Sequence, residues 1–279
     1  MTGIFIIEDG YNTSYIDTTI MALFYRPTHL TELLLQLPEN TKFVYLQSII
    51  NTHIIEQTRR NSSVDASLIN EIRNYSFVCG WKEGCNITEL YNAIEYLEFL
   101  IKGFDFCGIK CDLMEFSKKI HEDIQSIKIN YITVQVTENN NIKTLLERWT
   151  NDNLKKSISG TSSYHFTEIP MLIPIYLNRY IDGNQINNYK IDIKKKIRFN
   201  NKGHHDISWI IHSIICFSNT GNGHYYCVIN MDNNEWVLFN NNKIPALVKI
   251  SITDDDIANK IKQECVVVLY RLDDMLCKY

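Results

Sequence analysis

The apolar pattern changes period along this chain, and that change limits its fold more than any other feature. Residues 14–25 place Ile16, Ile20, Leu23 and Phe24 on one face at a 3.6-residue period. Residues 88–101 do the same with Leu90, Ala93, Ile94, Leu97 and Leu100. The last third reads differently. Residues 171–180, 207–218, 224–231, 235–239 and 264–270 are β-rich runs separated by Gly, Asn and Asp turn signals. Helices first and an antiparallel sheet later predict an α+β fold. The middle is mixed, with an amphipathic stretch at 142–149 and a strand at 130–136.

A length of 279 residues with no Pro- or Gly-rich linker fits one large domain. With 45% hydrophobic and 22% charged residues, the chain can bury an ordinary core, and wholesale disorder is excluded. The balance of 28 Lys+Arg against 32 Asp+Glu argues against nucleic acid as a partner. No apolar run approaches the roughly 18 residues that span a bilayer, so no membrane association is expected. Residues 1–7 lack the basic flank of a signal peptide. Eight cysteines without such a signal point to a reducing cytoplasm or nucleus rather than a disulfide framework. A monomer is expected.

Four segments carry side chains suited to chemistry. Asn12-Thr13-Ser14-Tyr15 opens the first periodic helix, where helix capping is the ordinary explanation. Gly221-Asn222-Gly223-His224-Tyr225-Tyr226 leads into a strand and places an imidazole at its start. Trp236-Val237-Leu238-Phe239-Asn240-Asn241 is a strand ending in amides, as hairpin turns often do. Residues 172–179 form a strand closing in Arg179 and followed by Tyr180, a pattern that a snorkelling arginine also explains. Singly, each has a structural explanation.

In order, they resemble the ubiquitin-specific proteases, cysteine peptidases of papain-like fold. Residues 12–18, Asn-Thr-Ser-Tyr-Ile-Asp-Thr, are similar to that family's opening box, with Ser14 where its nucleophilic cysteine stands. Asn92-Ala93-Ile94-Glu95-Tyr96-Leu97 resembles its Asp-Ala-x-Glu-Phe-Leu helix. Residues 170–180 look like its Pro-to-Arg-Phe strand, Gly223–Tyr226 is its histidine box, and 236–241 its closing Trp-to-Asn pattern. Five landmarks in sequence order cover nearly the whole chain. The resemblance implies one catalytic domain over 1–279. It has a helical thumb at about 1–105, reduced fingers at about 106–165 and an antiparallel β palm at about 166–279.

It also implies roles. A residue-14 nucleophile would sit at a helix start, where unpaired N–H groups and the macrodipole lower a thiol's pKa. His224 would be the base and Asn240 its orienting partner, as in Cys-His-Asn sites. Ser14 departs from the pattern, because a hydroxyl is far harder to deprotonate. The chain is therefore expected to be inactive, either through a Cys-to-Ser exchange or as a pseudoenzyme that binds without cutting. The family's oxyanion-hole amide falls at Asp9, whose carboxylate would repel an oxyanion. Asn12 is the other candidate, its amide turned inward, or it serves only as a cap.

The implied partner is ubiquitin or a ubiquitin-like protein, its glycine-terminated tail threaded through a channel. Glu95 and Asn92 would grip the tail's arginines, Asn92 only by hydrogen bonding, with Tyr180, Gly223 and Tyr225 walling the channel. A protease for another ubiquitin-like modifier stands as an alternative. No cofactor is implied and no metal is expected. Cys107 and Cys111 offer no second pair to complete a tetrahedral zinc site, and buried thiols are the better reading.

Overall fold

The helix that carries Ser14 is buried on every side. The computed structural model describes residues 11–36, 40–60, 62–106, 108–117, 122–151, 153–157, 160–181, 185–198, 207–231 and 235–273. Within it, all residues of the helix Ser14–Phe24 are buried, including Asp17, Thr18 and Thr19. The helices Ala66–Cys79 and Ala93–Gly103 and the strand His224–Asn230 pack against it. The apolar stripe legible in the sequence is thus only one part of a helix enclosed on all faces.

A buried helix end leaves carbonyls that must find donors. Here polar side chains supply them. Ser213 Oγ donates to Ala22 O at 2.7 Å and His212 Nε2 to Leu23 O at 3.1 Å. Arg59 takes the next two, donating from Nη2 to Phe24 O at 2.5 Å and from Nε to Tyr25 O at 2.9 Å. A cation at a helix C-terminus also opposes the macrodipole. At the other end, the Tyr15 ring meets Trp81, Tyr91 and Tyr96 at centroid distances of 6.4, 5.8 and 5.6 Å. Burial in this cluster pushes the Tyr15 phenol pKa up to about 12. The start of the helix is therefore held by aromatic packing.

The chain divides into two compact units. The first comprises Met1–Phe106 and His212–Val267. Its helices precede an antiparallel ladder in which Ser218 pairs with His224, Cys227 with Phe239, and Phe239 with Leu247. The helix Asp255–Glu264 follows, capped by Asp254, whose side chain accepts from Asp256 N and Ile257 N. The sequence reading did not include this helix. The helix expected over 88–101 starts later, at Ala93, because Asn92 is its N-cap and accepts from Ile94 N at 3.1 Å.

The second unit comprises Cys107–Ile211 and Val268–Tyr279. It contains an antiparallel sheet in the order Glu122–Ile129, Ile109–Ser117, Gly160–Phe166, Asn153–Ser157. The helix Ile142–Asn151 packs on it, with the Trp149 ring stacked on Tyr164 at 4.7 Å. The strand Ile132–Gln135 pairs in parallel with Leu172–Asn178, an exception to the antiparallel expectation. Leu172, Ile173, Ile175 and Leu177 are all buried, as fits a strand covered on both faces. Arg179 is only 2% exposed and donates to Tyr189 O at 2.7 Å, so it does not snorkel to solvent.

The fold is α+β, rich in antiparallel pairing. Among the described residues no helix is long and apolar enough to cross a membrane. Nor does any group of three or more His, Cys, Asp and Glu side chains gather as a metal site there. Burial raises the Cys111 thiol pKa to about 11, while Cys107 lies outside the described residues.

Candidate active site

Two residues with left-handed backbone precede Ser14. Tyr11 has φ 65° and Asn12 φ 53°, values that non-glycine residues adopt only when their surroundings enforce them. The enforcement is visible. The buried Arg73, from the helix Ala66–Cys79, donates to Tyr11 O at 2.8 Å and to Asn70 Oδ1 at 2.7 Å. Asn12 Nδ2 donates to Ile87 O at 3.2 Å. The capping explanation for this segment fails: Thr13 is the N-cap residue, and its side chain makes no cap hydrogen bond. The helix start is set by a distant arginine instead. Ser14 itself is 3% exposed, and its Oγ accepts the backbone N–H of Tyr225 at 3.2 Å.

His224 begins the strand His224–Asn230, and the turn after Phe239 brings two of three successive amides onto its ring. His224 Nε2 meets Asn240 Oδ1 at 3.0 Å. Since that oxygen only accepts, Nε2 carries the proton and Nδ1 the lone pair. The lone pair accepts from Asn242 Nδ2, also at 3.0 Å. Asn241 turns the opposite way: its Nδ2 donates to Oδ2 of the buried Asp17, in the first turn of the Ser14 helix, at 2.5 Å. One turn therefore holds both ring nitrogens and ties itself to the helix that carries residue 14. Gly223 makes room for the Phe217 ring. Its φ is +80°, and a Cβ there would lie 2.6 Å from the Phe217 ring, so a side chain is excluded twice over.

These groups line a cavity of about 430 Å³, with Asn12, Ser14, Leu90, Gly223, His224 and Asn240 among its walls. A family model described as "Ubiquitin carboxyl-terminal hydrolase" matches residues 9–270. The chain belongs to the ubiquitin carboxyl-terminal hydrolase family. A search of curated proteins finds no match. Membership assigns the chain to a family of cysteine-type hydrolases that act in the ubiquitin pathway, and the α+β fold agrees with it.

The remaining candidate residues of this ubiquitin hydrolase family member are placed as follows. Tyr225 is buried, its ring 4.8 Å from Phe217, so its backbone N–H rather than its phenol meets Ser14. Asn92 spends its side-chain oxygen on the helix cap. Glu95 is exposed on the same helix. Partial desolvation, then repulsion from Glu83 and Glu98, raises its carboxyl pKa above the ordinary value. Tyr180 is exposed in the second unit, where its carbonyl accepts from Gln135 Nε2 at 3.1 Å. Asp9 lies outside the described residues.

Sequence reasoning took Asn240 from this turn and passed over Asn241, Asn242 and Asp17. A run of three asparagines after an apolar strand was the available signal. Asp17→Ala would strand the Asn241 amide, which is only 8% exposed. A loss of about 1–3 kcal/mol is expected, read as a lower urea midpoint at unchanged m-value.

Proposed function

We propose that this chain holds ubiquitin by its C-terminal tail, and that Ser14 makes it a non-cleaving form of a thiol hydrolase. The observation that carries the reading is the imidazole of His224, fixed at both nitrogens beside a cavity that Ser14 also lines.

With cysteine at position 14, the expected reaction is cleavage after the terminal glycine of ubiquitin. The thiol passes its proton to the imidazole, and the thiolate attacks the carbonyl carbon. The imidazolium then protonates the departing amine, and water hydrolyses the thioester. Asn240 supports the ring by accepting from Nε2–H. Nδ1 is the nitrogen left to exchange protons, and in the present arrangement the Asn242 amide occupies it, so that amide must yield before the base can act. A serine hydroxyl makes the step far harder, since its pKa lies well above that of a thiol. Nucleophile and base are thus both in the wrong state for cutting, while nothing in the exchange of sulfur for oxygen disturbs a tail-binding channel. One specific observation favours another ubiquitin-like modifier as the partner: Asn92 stands where the family's second acidic residue is expected, and its oxygen is committed to the helix cap.

Ser14→Cys is expected to give hydrolysis of a ubiquitin C-terminal ester or amide, measured by fluorescence release. His224→Ala in that background should lower the rate by at least about a hundredfold, as general acid–base catalysis is lost. Asn240→Ala should cost less, because orientation is lost but the base remains. Undiminished activity with His224→Ala would remove His224 from the mechanism.

Glu95 gives a test on binding. Charge-assisted bonds contribute roughly 1.5–3 kcal/mol each, so Glu95→Arg should weaken ubiquitin binding by about tenfold or more in calorimetry. Because its pKa is raised, Glu95 loses its charge at a higher pH than an ordinary glutamate. Affinity for an arginine-bearing tail should therefore be full above that pKa and fall as pH drops through it. Glu95→Gln should flatten the fall.

A further inference from the structure

The cavity beside Ser14 and His224 carries a charge that the hydrolysis scheme leaves unused. Lys243 and Lys260 line it, and among the described residues no aspartate or glutamate does. Both lysines are exposed, and neither makes an ion pair with a described residue. Lys243 stands on the amide turn, its backbone N–H donating to Asn240 O at 3.0 Å. Lys260 comes from the helix Asp255–Glu264, with Nζ 5.5 Å from the centroid of the Tyr226 ring. Glu264, one helical turn further on, is engaged by the Tyr226 hydroxyl at 2.7 Å. The described walls of this cavity therefore bring together two lysines and no carboxylate.

Chemistry says what passes there. In acyl transfer the imidazole hands its proton to the departing amine, so that amine must leave beside His224. The Asn242 amide reaches His224 Nδ1, and Lys243 follows it in the chain. The residues around a departing lysine thus come closest to this turn.

We propose that Lys243 and Lys260 form an anion subsite on the leaving-group side, one that selects ubiquitin conjugates whose modified lysine is flanked by aspartate or glutamate. The subsite rests on the ubiquitin reading given above.

The test uses the chain with Ser14, which holds conjugates without cutting them. Three ubiquitin–peptide conjugates, identical except for two Glu, two Gln or two Lys beside the isopeptide lysine, are titrated by fluorescence anisotropy at low salt. The Glu conjugate should bind about three- to tenfold more tightly than the Lys conjugate, as two exposed charge pairs allow. The gap should close at roughly 0.5 M salt. Lys243→Gln with Lys260→Gln should flatten the order, and Lys243→Glu with Lys260→Glu should reverse it. Equal affinities for the three conjugates, or an order unmoved by charge reversal, would overturn the subsite and leave the ubiquitin reading standing. Failure of every conjugate to bind would remove both.

Discussion

The site depends on one strand end that turns three amides in three directions. Asn240 and Asn242 take opposite nitrogens of His224, and Asn241 reaches the buried Asp17. Hydrogen bonds at both nitrogens leave the imidazole one tautomer and one ring orientation, with the proton on Nε2 and the Asn242 amide on Nδ1. The bond from Asn241 to Asp17 carries that order across to the first turn of the helix on which residue 14 stands. With the Tyr225 N–H on Ser14 Oγ, it adds direction to the apolar packing between sheet and helix, which is strong but has none. The left-handed pair Tyr11–Asn12 performs the matching task upstream, with Arg73 and the Ile87 carbonyl holding it.

Both devices use distant partners, and that is why the sequence shows them poorly. The helix Ser14–Phe24 was legible because its apolar residues recur at a fixed period, and the strand His224–Asn230 because its residues are β-rich and follow a glycine turn. Neither signal says that the helix would be enclosed on all faces, since Asp17, Thr18 and Thr19 read as polar. Asp17 is buried with Oδ2 accepting from Asn241 far along the chain, and Thr19 with its hydroxyl donating one turn back to Tyr15 O at 2.6 Å. The capping expectation at Asn12–Ser14 failed for the same reason: local composition favoured a cap, but a guanidinium 62 positions away set the backbone instead.

Where the partner was adjacent, reading was easier but not complete. The helix expected over 88–101 was placed too early, because Asn92 is the N-cap that starts it at Ala93. The helix Asp255–Glu264 was passed over although Asp254, Asp255 and Asp256 form an acidic first turn, because only Ile261 among its residues is buried. An α+β fold, by contrast, follows from the change in hydrophobic period alone. The parallel pairing of Ile132–Gln135 with Leu172–Asn178 does not, since period fixes neither strand order nor direction.

The central claim is that position 14 is where ubiquitin's carboxyl terminus is delivered. It is tested most directly by covalent capture. Ubiquitin bearing a thiol-reactive group at its C-terminus, incubated with the Ser14→Cys chain, should add one ubiquitin mass, and peptide mapping should place it on residue 14. The chain contains its own controls, because Cys85 is an exposed free thiol and Cys79 is half-buried. An adduct on either of those, or none while a small thiol reagent labels residue 14 freely, would contradict the account.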